Sequence, residues 1–81
     1  MSRRSVLLFA SYAELLGAER VELDLPDGAT VADLVTALRT LPGGVALPIH
    51  PFVAVAHRQA APEMVLPPGA ELALLPPLAG G

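Results

Sequence analysis

One segment of this chain carries a sustained helical period, and that constrains the fold more than any other feature. In "TVADLVTALRTLPGG", Val31, Leu34, Val35, Leu38 and Leu41 recur at the i, i+3, i+4, i+7 spacing that gathers apolar side chains into one stripe. Thr30 ahead of them offers a hydroxyl to the first turn, and Asp33 places a carboxylate where the helix dipole favours it. Pro42, Gly43 and Gly44 then stop the helix. With one long helix, only one face of any sheet can be covered by helix. The opposite face is left to loops or to a partner.

The rest of the chain reads mostly as short strands. "RVELDL", Arg20–Leu25, alternates without a break, with Val21, Leu23 and Leu25 on one face and Glu22 and Asp24 on the other. "RSVLLFA" at 4–10 and "FVAVA" at 52–56 are apolar runs of strand length, and "ELALL" at 71–75 is the last strand, closed by Pro76 and Pro77. "SYAELLG" at 11–17 predicts one or two helical turns, with Ser11 and Glu14 at capping-box spacing and Gly17 at the end. "PDG" at 26–28 and "HRQ" at 57–59 read as turns, and 45–51 as a proline-broken loop. Segment 61–71 allows at most a short edge strand or turn, because Pro62, Pro67 and Pro68 cannot donate to a ladder. No internal repeat and no second domain is visible.

Strand parity makes a specific expectation. If the faces carrying Ser5 and Glu71 are the open ones, Leu7, Phe9, Ala73 and Leu75 share that side. An apolar patch would then sit at the base of the C-terminal tail. Alternatively, the short helix or the 45–51 loop covers it.

Composition narrows the function classes. A chain of 81 residues makes one domain, and a domain of this size buries only roughly 60% of the surface its unfolded form exposes. There is no cysteine, which removes disulfides, iron–sulfur clusters and thiol catalysis, and fits a reducing compartment. A net charge of −3 is a poor footprint for nucleic acid. The apolar content of 53% and mean hydropathy of +0.57 suggest a membrane, but the longest charge-free stretch, 40–57, contains three prolines and two glycines and cannot span one. The apolar run behind "MSRRS" is too short for a signal peptide. The excess apolar character is therefore core plus exposed surface, and exposed apolar surface marks a partner.

The chain interior offers no catalyst. His50 and His57 are the only histidines, too few for a zinc site without cysteine, and both read as surface residues. Ser11 reads as a cap, the carboxylates as solvated, and "PGG" at 42–44 as a helix stop lacking the lysine and hydroxyl of a phosphate loop. The remaining candidate is the terminal carboxylate at the end of "LLPPLAGG". Glycine permits close backbone approach on both sides, and two prolines keep the strip extended, lowering the entropy lost on insertion into a narrow channel. A tail with no role remains the alternative.

"VLLFASYAELLG", the capped central helix, "FVAVA" and "PPGAELALLPPLAGG" together resemble the small subunit of molybdopterin synthase, a family of ubiquitin-like sulfur carriers. The resemblance implies an α+β, ubiquitin-like β-grasp fold: a mixed sheet of four to five strands packed on one main helix plus a short helix. It implies a β-grasp domain over 1–75 and an extended tail over 76–81. Gly81 would be adenylated by an E1-like enzyme that uses ATP and Mg²⁺, then converted to a thiocarboxylate. The sulfur would come from a donor such as a cysteine desulfurase or rhodanese. Pro76, Pro77, Leu78, Ala79 and Gly80 would enter the large synthase subunit, where the sulfur passes to cyclic pyranopterin monophosphate. Phe9 and Leu75 match the family's apolar docking surface. The family implies no metal or cofactor held by the chain itself, no nucleic acid or membrane partner, and a cytoplasmic location.

The chain departs from the family at two turns: His57–Arg58 replaces an asparagine-type turn, and Pro67–Pro68–Gly69 replaces an acidic one. These bear on partner preference more than on fold. Other readings stay open: a carrier for thiamine synthesis or tRNA thiolation, a protein modifier, or a β-grasp binding module with an inert tail. All five basic residues are arginine, so this chain could not build lysine-linked chains on itself.

Overall fold

The structure is a computed structural model and describes residues 2–77. Its elements run β1 (Ser2–Leu8), α1 (Ser11–Leu16), β2 (Arg20–Leu25), α2 (Val31–Arg39), a 3₁₀ turn (Gly44–Ala46), β3 (Phe52–Val55), β4 (Arg58–Gln59) and β5 (Leu72–Leu75). One sheet takes all five strands in the order β2-β1-β5-β3-β4. β1 and β5 are parallel, with Val6 opposite Leu72 and Leu8 opposite Leu74; the other neighbours are antiparallel. This is the mixed sheet on a main helix and a short helix that the β-grasp resemblance implies.

α2 forms as its sequence dictates. The Thr30 hydroxyl accepts from the Asp33 amide at 3.2 Å, and the Asp33 carboxylate accepts from the Thr30 amide at 2.9 Å, a reciprocal capping box. Val31, Leu34, Val35 and Leu38 are buried against Val6, Leu8, Leu23, Leu25, Val53, Val55, Leu72 and Leu74 on one face of the sheet. Each such side chain contributes roughly 1.5–3 kcal/mol relative to exposure.

Several expectations change. β1 begins at Ser2, because Ser2 still pairs with Leu25, and ends at Leu8, because Ala10 adopts φ 51 and leaves the ladder. Ser11 is the first helical residue of α1 and not its cap: the cap position is Ala10, with no side-chain hydrogen bond, so there is no capping box with Glu14. Gly17 does close that helix, at φ 73. "HRQ" is not all turn. Ala56 and His57, both at positive φ, form a two-residue hairpin loop, and Arg58–Gln59 pairs back with β3. β3 accordingly ends at Val55, not at residue 56, and the ladder of β5 starts at Leu72, not at residue 71. Within 61–71 there is no strand, only a bridge between Val65 and Thr30. Loop 45–51 opens with the 3₁₀ turn and sends Leu47 into the core, 2% exposed. It is anchored by the Arg39 guanidinium, whose Nε donates to the Leu47 carbonyl at 3.0 Å.

Two glycines do more than end α2. A side chain on Gly43 would collide with the Leu15 carbonyl, and one on Gly44 with that of Leu38. Bare backbone at both positions lets α1, the 3₁₀ turn and the end of α2 close together. Arg4 is the one buried charged side chain among the described residues; its Nη2 donates to the Pro67 carbonyl at 2.7 Å and ties β1 to the long segment before β5.

Candidate functional site

Every covering element lies on one side of the sheet. Tyr12 of α1, Leu47 of the loop, and Ala29 and Leu66 join the same core as α2. The other face therefore stays open, which decides between the two alternatives that strand parity left. On this face the register lines up Arg20, Leu7, Ala73, Ala54 and Gln59 across five strands. Phe52 stands opposite Leu75 in the next row, and Phe9 follows on from β1 beside them. Phe9 is 38% and Phe52 45% exposed, with Leu7, Ala54 and Leu75 half-buried. A shallow concavity of about 310 Å³ is floored by Leu7, Ala54, Ala73 and Leu75, with Phe9 on one side and His57 and Glu71 at its rim.

The chain leaves the sheet at this patch. β5 is the central strand: β1 pairs it as far as Leu74 and β3 as far as Leu75, so the chain's departure point is held from both sides up to its last residue. Pro76 and Pro77 follow directly, the first half-buried and the second exposed. Neither proline has an amide hydrogen, so the ladder cannot continue through them. Leu78, Ala79, Gly80 and Gly81 lie outside the described residues.

Charge sits at the far end of the same face. Arg3 donates to Glu22 at 3.1 Å and lies 3.3 Å from Asp24, and these two hydrogen bonds hold its guanidinium above the usual range. His57 Nε2 is 3.4 Å from Glu71 Oε1. At the sheet's end, the Ser2 hydroxyl donates to Asp27 at 2.7 Å and keeps that carboxyl below its ordinary value. His50 borders a separate groove between α2 and residues 59–62, away from the patch. Among the described residues no cluster of three or more His, Asp or Glu side chains is placed to hold a metal, and no helix is long and apolar enough to cross a membrane.

The structure thus brings Phe9 and Leu75 together beside Pro76 and Pro77. Phe52 and Ala54 complete the patch and were not singled out from the sequence. Their parity within β3 was legible, but not that β3 would pair with β5 and set Phe52 against Leu75.

Comparison with known proteins follows the same lines. The sequence pattern of the ThiS family matches residues 6–81. A molybdopterin synthase sulfur carrier subunit from Drosophila yakuba is 35% identical, over 94% of this chain and 88% of that protein. The crystal structure of small archaeal modifier protein 1 from Haloferax volcanii superposes with a TM-score of 0.83 at 30% identity, covering 96% of this chain and 100% of that one. In the Helicobacter pylori complex of subunits 1 and 2 of molybdopterin-converting factor, the matching chain has a TM-score of 0.70 at 18% identity, covering 99% of this chain and 100% of that one, a likeness of fold.

Proposed function

Because the chain belongs to the ThiS family, we propose that it is a sulfur carrier of molybdenum cofactor synthesis whose own C-terminus is the reactive group. In this reading the Gly81 carboxylate attacks the α-phosphorus of ATP on an E1-like enzyme, releasing pyrophosphate and forming an acyl adenylate. The Mg²⁺ and nucleotide belong to that enzyme. The terminal sulfur of a persulfide on a cysteine desulfurase or rhodanese then displaces AMP to give an acyl disulfide, and a thiol cleaves that bond, leaving the thiocarboxylate and a disulfide on the donor side. The large subunit of molybdopterin synthase receives the tail and passes the sulfur to cyclic pyranopterin monophosphate. The chain acts as the sulfur-donating subunit and supplies no catalytic side chain. A cytoplasmic setting goes with this reading and with the lack of cysteine.

The observation that carries the reading is the position of the tail: it starts from the central strand, at an uncovered apolar patch formed by Leu7, Phe9, Phe52, Ala73 and Leu75. A partner seated on that patch receives the tail with its origin fixed, and the two prolines lower the conformational entropy that insertion costs. The Drosophila yakuba relative supports the pathway by its name, and the Helicobacter pylori structure supports a large-subunit partner.

The test is intact-mass spectrometry after incubation with an E1-like enzyme, ATP and a sulfur donor. A gain equal to one oxygen replaced by sulfur is expected, and none in the chain lacking Gly81. No gain, with the enzyme active on another carrier, would return the tail to an inert role. A second reading, protein modification, is favoured by the likeness to the archaeal modifier. It predicts isopeptide-linked products on other proteins in place of a stable thiocarboxylate.

A further inference from the structure

Among the described residues, one guanidinium on the open face has no partner within the chain. Glu22 and Asp24 are both engaged by Arg3, and Glu71 Oε1 lies 3.4 Å from His57 Nε2. Arg20 lies on the same face, exposed and directly opposite Leu7, and its guanidinium has no hydrogen-bond or ion-pair partner among the described residues. Glu19 beside it has the opposite parity, at the end of the ladder. Arg20 shares a second concavity with Leu7 and Glu71, which also border the apolar one.

We propose that Arg20 is the charge anchor of the docking face and that the partner seated on Leu7 and Ala73 presents a carboxylate to its guanidinium. This rests on the docking reading above and names the partner's chemistry at one edge. A protein surface covering Leu7 reaches Arg20, because the two stand opposite each other in the β1–β2 ladder. A guanidinium covered by apolar surface would lose its water with no compensation, so the partner must supply an acceptor there. A carboxylate matches the planar fork and gives the stronger, charge-assisted pair. Glu22 and Asp24, on the same strand and face, are already held by Arg3. In a chain of net charge −3, Arg20 also selects the edge at which an acidic partner region can approach.

The experiment measures binding of the full chain to the large subunit of molybdopterin synthase by surface plasmon resonance at low and high salt. Arg20→Glu is compared with Arg58→Glu, which carries the same charge change at a residue that the structure places in β4 and not in the turn, opposite core-facing Val55 and so off the docking face. Arg20→Glu is expected to slow association about tenfold at low salt, with the gap closing at high salt and Arg58→Glu within about twofold of the parent. Arg20→Gln should fall between the parent and Arg20→Glu, and thermal melts of all variants check that each is folded. Equal behaviour of Arg20→Glu and Arg58→Glu would overturn the proposal. If Phe9→Ser abolishes binding while Arg20→Glu does not alter it, the anchor is wrong and the docking reading stands. If the parent chain does not bind at all, both fall together.

Discussion

At the scale of single residues, two side chains sit in environments that their neighbours explain. Tyr12 is packed into the core, and burial raises its phenol above the ordinary tyrosine value. The fold therefore prefers the neutral phenol. Its contribution is fully present below about pH 10, the unfolded tyrosine value, and is lost as pH rises through the higher folded one. The composition isolates this titration: Tyr12 is the only tyrosine, and the chain has neither cysteine nor lysine. Alkaline stability curves should fall above the ordinary tyrosine range in the parent and flatten in Tyr12→Phe. Equal slopes would mean that another group governs the loss. The second case is Ala56, held at φ 51 in the β3–β4 loop, where a Cβ is disfavoured by roughly 1 kcal/mol. Ala56→Gly removes that penalty but loosens the unfolded chain, so a net gain of about 0.5 kcal/mol is expected from the shift in denaturant midpoint. A loss would show that the methyl group makes a contact worth more than the strain.

At the scale of elements, α2 was legible because three independent signals agree on it: the apolar stripe, the Thr30–Asp33 cap and the Pro-Gly-Gly stop. Thr30→Ala leaves the Asp33 amide without its acceptor and should cost about 1 kcal/mol by thermal melt, with the fold retained. An unchanged melting temperature would reduce the capping box to a geometric accident. β2 was legible from its alternation. The parity of β1 and β5 placed Phe9 and Leu75 together before any pairing was known. What stayed hidden depended on tertiary contact. Arg58–Gln59 carries no strand signal of its own and pairs only because a tight turn returns it to β3. Ser11 has the chemistry of a cap, but the chain enters α1 through the positive φ of Ala10, one residue too early. Gly43 and Gly44 looked like simple helix breakers, since the carbonyls they accommodate come from α1 and α2. Arg4 broke the apolar parity of β1 and could not be placed until its acceptor, the Pro67 carbonyl, was in view.

At the scale of the whole molecule, the two sheet faces divide the work, and substitutions should separate accordingly. On the covered face Leu74 is fully buried beneath α2, so Leu74→Ala leaves a cavity and should cost about 2–5 kcal/mol. That is a large part of what a domain of this size has to lose. On the open face Phe9 and Phe52 are 38% and 45% exposed, so the fold buries only part of each ring. Phe9→Ser and Phe52→Ser should therefore each cost about 1–1.5 kcal/mol, less than Leu74→Ala. Binding should invert that order. The pair on the open face removes the aromatic flanks of the patch from which the tail departs, and a few large side chains at the centre of an interface carry most of its energy. A loss of at least about a hundredfold in affinity for the large subunit is expected, with the fold intact. Leu74→Ala should bind almost normally wherever it remains folded. Measured side by side, calorimetric melts and binding isotherms distinguish a face kept apolar for a partner from one kept apolar for the fold. If either open-face substitution destabilised the chain as much as Leu74→Ala while binding stayed intact, the patch would belong to the core and the tail's partner would have to be sought elsewhere on the surface.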